Sequence, residues 1–240
     1  MSLTAARGPL GTDPAGVTSP PLPAGGVAFV EPHPRRIVAE RDGRVVLDSE
    51  RALLVHRPGQ RLAYAFPRAD VGDLPCTDEP LAPGFVHVPW DAVDTWYEEG
   101  RRLVTYPPNP YHRVDCHPTR RRLRVSVLGA SLVDTDDTVI LFETALAPRL
   151  YVSPSYVRMD LLRSSATTTW CNYKGVATYW SAVVGDTVVD DVAWTYADPL
   201  PESTVIAGML SFDLDRASVD AELPVGSVLD RERRPRQPPS

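Results

Sequence analysis

The sequence predicts a mainly β protein. Three observations carry that expectation: strand-forming runs broken by tight-turn pairs such as Asp42-Gly43, an internal repeat whose two copies open alike, and a strand pair around Gly185-Asp186. Arg36 lies 86 residues before Arg122. The same spacing separates Gly43 from Gly129, Asp48 from Asp134, Leu53-Leu54-Val55 from Val139-Ile140-Leu141, and Val71 from Val157. A match in register over so many positions predicts two tandem modules of small antiparallel sheets, with one or two short helices.

Taken in order, residues 1–28 carry Pro9, Pro14, Pro20, Pro21 and Pro23 with no apolar periodicity, and are expected to form a disordered tail. The first module spans 29–105. Within it, Ala92, Val93, Trp96 and Tyr97 fall at helical spacing between Asp91 and Gly100, which predicts a short amphipathic helix over Pro89–Gly100. Residues 106–118 are rich in Pro and polar side chains and read as a linker. The second module spans 119–228: strands flank Leu128-Gly129, a strand covers Tyr179–Val184, and another runs from Thr187 to Tyr196. One helical turn is expected between Pro199 and Phe212, and a last strand near Ala217. Residues 229–240 are Pro-rich and charged and form an expected second disordered tail.

Composition narrows the function classes. A net charge of -6 argues against a general nucleic-acid binder. No run approaches the ~18 apolar residues of a membrane span, and the start of the chain lacks a secretory apolar block, so a soluble cytoplasmic protein, monomer or homodimer, is expected. Cys76, Cys116 and Cys171 are far apart, which excludes a four-thiolate zinc site. All five histidines precede residue 118, so a Cys-His or Ser-His couple in the second half would have to be built across both halves. His112, Cys116 and His117 are close in sequence, but a solvated linker explains them more simply than a metal, and neither metal nor cofactor is expected.

One residue stands apart. Lys and Arg together number 25, and Lys174 is the single lysine. A chain that meets its need for positive charge with arginine keeps this one compact amine, whose protonation burial can change, where a planar guanidinium stays charged. Lys174 lies in Trp170-Cys171-Asn172-Tyr173-Lys174-Gly175, followed by Tyr179-Trp180 and Trp194-Thr195-Tyr196. If the first stretch is extended, Trp170, Asn172 and Lys174 share one face, with Cys171 and Tyr173 on the other. Aromatic walls around one polar handle are the usual anatomy of a small-molecule site.

These residues, with Pro199-Leu200-Pro201-Glu202, Ile206-Ala207-Gly208 and Pro110-Tyr111-His112-Arg113-Val114-Asp115, resemble the tandem form of the domain of unknown function family 427. The resemblance implies a compact fold of the β-tent type, similar to type B methionine sulfoxide reductases and the ligand-binding domain of cereblon, with no settled reaction. It also implies a possible tryptophan cage, while the paired thiolates that hold zinc in those relatives are missing here. Members commonly carry an acidic pair where this chain reads Ser153-Pro154-Ser155-Tyr156-Val157. The first half has lost the Cys-x-Tyr-Lys-Gly segment and reads as the degenerate copy, supplying a wall or lid.

Two functions follow. The first is a cofactor-independent enzyme acting on a small organic molecule, with Lys174, Tyr173, Tyr179 and Cys171 as catalytic candidates. The second is a non-catalytic binding module in which Trp170, Trp180 and Trp194 form the cage, with Tyr196 and Asn172 beside Lys174. A nucleotidyltransferase, which that family's label suggests, would need carboxylates such as Asp134, Asp136 and Asp137 beside a phosphate loop, and no such Gly-rich loop precedes them. The run Arg120-Arg121-Arg122-Leu123-Arg124 reads as a solvated strand start.

Overall fold

The computed structural model describes residues 18–224 together with Leu3, Thr4, Gly8, Leu10 and Gly11. It divides into two compact units, Met1–His112 and Arg113–Ser240, and nearly all regular structure in both is antiparallel strand. The expected tail at 229–240, and most of the first seventeen residues of the tail expected at 1–28, lie outside the described residues. Leu3 and Thr4 do not: Thr4 is buried, and the Leu3 N–H donates to His56 Nδ1 at 3.3 Å. No helix among the described residues is long and apolar enough to cross a membrane.

The first unit holds β1 (Phe29–Pro32), β2 (Ile37–Arg41), β3 (Arg44–Ser49), β4 (Leu53–His56), β5 (Ala63–Pro67), β6 (Thr77–Asp78), β7 (Phe85–His87), β8 (Thr95–Glu98) and β9 (Arg101–Leu103). They pair as a five-stranded sheet, β1-β4-β5-β7-β6, and a four-stranded sheet, β3-β2-β8-β9. Alternation turns Ile37, Ala39 and Trp96 of one sheet toward Leu54, Tyr64 and Phe66 of the other, and the core lies between them.

The second unit holds β10 (Val114–Thr119), β11 (Leu123–Val127), β12 (Ala130–Thr135), β13 (Thr138–Glu143), β14 (Arg149–Val152), β15 (Leu162–Cys171), β16 (Gly175–Val184), β17 (Thr187–Thr195), β18 (Leu210–Phe212) and β19 (Ser218–Ala221). Its seven-stranded sheet runs β10-β13-β14-β18-β17-β16-β15, and β12-β11-β19 form a second sheet. Val125 and Leu132 of the smaller sheet pack on Ile140, Leu150, Leu210 and Phe212 of the larger.

The strands that open the units correspond at the spacing seen in the sequence. β2 and β11 each break their pairing at a bulge, after Ala39 and after Val125. Each hairpin turns through two residues at positive φ, Asp42 (53°) and Gly43 (69°) in one, Leu128 (49°) and Gly129 (83°) in the other, the backbone of the tight primed turns. Arg36 Nε donates to Asp48 Oδ1 at 2.8 Å, and Arg122 Nε to Asp134 Oδ1 at 2.8 Å. The β15–β16 hairpin has no counterpart in the first unit's sheet.

Two expectations are corrected. The segment Pro89–Gly100 is not a helix: a 3-10 turn covers Trp90–Ala92, and Thr95–Glu98 is strand β8. Trp96 and Glu98 are buried because they face inward from a strand paired with β2, and the Trp96 ring stacks on Trp90 at 5.2 Å. Glu99 and Gly100, at φ 49° and 78°, then turn the chain into β9 as the two central residues of a tight hairpin. Nor is 106–118 a linker throughout. Val114–Thr119 is an edge strand paired with β13, and Pro118 is tolerated at that edge, where a missing N–H costs little.

Candidate functional site

The seven-stranded sheet has a second face. Along β13, Ile140 joins the core between the sheets, while Val139, Leu141 and Glu143 alternate to the other side. The same side carries Val114 and Cys116 from β10, Tyr151 from β14, Ala177 and Tyr179 from β16, Cys171 from β15, and Trp194 with Tyr196 from β17 and its end. Ile206, at the end of the 3-10 turn Pro201–Ile206, is wholly buried among them.

Lys174 shows how this face is closed. It belongs to the turn Asn172–Lys174 between β15 and β16, yet its Nζ donates to Glu143 Oε2 on β13. β14, β18 and β17 lie between those strands, so the sheet curls until its far hairpin reaches back over its second strand. The two side chains are 9% and 8% exposed, which makes this a buried ion pair. The ammonium also lies 6.0 Å from the centre of the Tyr196 ring.

The turn is held in place from three directions. Trp170 Nε1 donates to Asn172 Oδ1 at 3.1 Å, Leu200 N to the Lys174 carbonyl at 3.2 Å, and Ser203 Oγ to the Tyr173 carbonyl at 3.4 Å. Gly175 leaves the turn at φ 91°, a conformation open to glycine and strained for any other residue.

The phenols around the pair are kept protonated. Burial pushes the Tyr151 hydroxyl well above its usual range; the Trp194 N–H partly offsets this, and the charge on Glu143 adds to it. Burial does the same to Tyr196, reinforced by the nearby acidic groups Tyr151, Cys171, Glu143 and Tyr179. The Cys116 thiol is raised first by burial and then by Asp115 and Glu143, against a lowering by Lys174. Tyr151, Tyr196 and Cys116 therefore hold their protons more tightly than usual beside the Lys174–Glu143 pair. Trp194 Nε1 donates to the Tyr151 hydroxyl at 3.1 Å, and Thr169 Oγ1 and the Tyr179 hydroxyl share a hydrogen bond at 2.9 Å.

The structure thus brings together Lys174, Cys171, Tyr173, Tyr179, Trp194 and Tyr196, with Trp170 and Asn172 shaping the turn. It does not bring Trp180 to them. Trp180 packs into the core between the sheets, on the opposite face from Trp194, because adjacent residues of a strand alternate and Tyr179 takes the inner place. A cage of Trp170, Trp180 and Trp194 does not close, and the aromatic partner of Lys174 is a tyrosine. The alternation predicted for Trp170–Lys174 also ends at Cys171, where the turn begins.

Sequence reasoning missed Glu143, Tyr151 and Cys116. The alternation Val139, Leu141, Glu143 was there to be followed, and it ends in a carboxylate on an otherwise apolar face. Asp134, Asp136 and Asp137 do not converge: Asp134 pairs with Arg122 and Arg124, Asp136 faces Arg120 at 3.9 Å, and Asp137 accepts from Tyr156. Among the described residues no three His, Cys, Asp or Glu side chains are grouped to hold a metal ion.

Residues 115–224, nearly all of the described second unit, match the family described as domain of unknown function (DUF427). No curated protein matches the chain.

Proposed function

We propose, from the premise that the second unit is a DUF427 domain, that its inner sheet face binds a small organic molecule and that Lys174 and Glu143 work there as acid and base without a cofactor. The observation that carries this reading is the burial of the only lysine against a carboxylate among tyrosines. Burying two charges costs several kcal/mol per ion, and a well-packed apolar pair would hold the turn as well or better (about 1–4 kcal/mol). A chemical use for the amine would account for that cost. Tyr151, Tyr179 and Tyr196 supply hydrogen-bond donors, and Trp194 with Tyr173 completes an aromatic lining.

We read the first unit as a copy of the same module without this site. The shared spacing, bulges and Arg–Asp pairs support that reading, and the missing β15–β16 hairpin removes the segment that carries the lysine. A non-catalytic binding module is the second reading, favoured by the aromatic side chains on the face.

A metabolite library screened by thermal shift against the wild type, Lys174→Arg and Tyr151→Phe tests the proposal. A compound that stabilises the wild type and neither variant is expected. Binding that survives in Lys174→Arg selects the non-catalytic module, and a library in which nothing stabilises the wild type contradicts both readings.

A further inference from the structure

We propose that Lys174 is an imine-forming lysine and that the site takes small aldehydes or ketones. This rests on the reading of the inner face as a small-molecule site and deepens it.

Residue type comes first. Histidines apart, arginine supplies every other basic side chain, and it would pair Glu143 with two parallel hydrogen bonds. What it cannot do is lose a proton and add to a carbonyl carbon. A buried amine is what such chemistry needs. The second requirement is a base within reach of the ammonium, and Glu143 Oε2 is hydrogen-bonded to it.

The third requirement is a donor for the substrate oxygen, and Tyr151 provides it. The indole N–H of Trp194 can only donate, so at 3.1 Å the Tyr151 oxygen is the acceptor and its own O–H remains to be donated. No acceptor for that proton is found among the described residues, although Tyr151 is only 2% exposed. A buried hydroxyl with a proton left over is suited to an acceptor atom that arrives from outside, such as a carbonyl oxygen.

The step balances. Glu143 takes one proton from the Lys174 ammonium, and the amine lone pair forms a C–N bond while the carbonyl π pair moves to oxygen. Tyr151 hydrogen-bonds to that oxygen. The two hydrogens left on nitrogen pass to it, water leaves, and Glu143 returns its proton to give an iminium. Carbonyl plus ammonium gives iminium plus water, with no oxidant or reductant.

The single lysine makes the test clean, since only Lys174 and the chain's α-amine can be labelled. Folded protein is incubated at neutral pH with glyoxylate, pyruvate, acetaldehyde or benzaldehyde and treated with borohydride, and adducts are mapped by peptide mass spectrometry. The expected result is a reduced adduct on Lys174 for at least one probe, with Tyr151→Phe slowing trapping about tenfold or more. Adducts on the α-amine alone with all four probes, or trapping untouched by Tyr151→Phe, overturn it. If a library compound stabilises the protein while Lys174 is never trapped, the imine falls and the binding site stands; if neither occurs, both fall.

Discussion

Arg57 in the first unit and Glu143 in the second stand 86 residues apart, just past β4 and at the end of β13, and each enters an ion pair whose carboxylate is buried, with the charges reversed. In the first unit the buried carboxylate is Glu79. One of its oxygens accepts the Leu81 N–H at 2.9 Å, and the other meets both Arg57 and His87 Nε2, while His87 Nδ1 donates to the Tyr64 carbonyl at 2.9 Å. Burial alone would raise the Glu79 carboxyl, and these donors bring it below its usual range instead. That cluster has a permanent cation and a carboxylate met at both oxygens, so it reads as a device for holding strands together. The second unit has a primary amine in place of a guanidinium and a phenol with a proton to give. On the proposed reading, the choice of cation separates a fastening in the first unit from a reactive centre in the second.

The largest expected effect comes from stranding one charge. Lys174→Met removes the cation that Glu143 faces and should cost roughly 3–5 kcal/mol in urea unfolding, and Glu79→Ala, which takes the carboxylate from His87 and from the partly exposed Arg57, should also destabilise. The double variant Lys174→Met with Glu143→Leu should recover most of that loss. A double variant as unstable as Lys174→Met alone would show that the pair is not coupled.

Acid should separate the units next. Glu98, buried in the first unit, is replaced in register by Ala221 in the second. Burial would raise the Glu98 carboxyl, but hydrogen bonds from His33, Tyr64 and Arg35 hold it at about 2. A lowered carboxyl contributes stability above its unfolded value of 4.5, and loses it as pH falls toward about 2. The loss is on the order of 3 kcal/mol, and Glu98→Gln should flatten this dependence in urea titrations at pH 6 and pH 3. An unchanged slope would sever Glu98 from the acid response.

Smaller effects concern the turn and the surface. Gly175→Ala forces a Cβ into a φ of 91° and should cost about 1–2 kcal/mol, read as a lower unfolding midpoint. Arg36→Ala and Arg122→Ala break exposed pairs and should leave the midpoint where it is. A clear loss in only one of them would show that the twin pairs are not equivalent.

Legibility in the sequence followed the range of the interaction. Tight turns at Asp42-Gly43 and Gly185-Asp186, and the β character around them, depend on near neighbours and could be read directly. Ala92, Val93, Trp96 and Tyr97 fit a helical stripe equally well, and only pairing with β2, a contact over more than fifty residues, decides for a strand. Lys174 was visible because composition isolates it. Its partner was not, since Glu143 meets it only through the curl of a sheet with three strands between them. The tryptophan cage failed for a related reason: side-chain facing depends on strand parity, and Trp180 falls on the opposite parity from Trp194.

The most direct test of the central claim is to compare Lys174→Arg with the wild type in one experiment, reading urea stability and borohydride-trapped carbonyl together. A guanidinium can keep the pair with Glu143, so stability within about 1 kcal/mol of wild type, with trapping at position 174 abolished, is predicted. A wild type whose Lys174 captures no carbonyl probe, in protein as stable as the arginine variant, would show that the pair is a fastening like the one in the first unit.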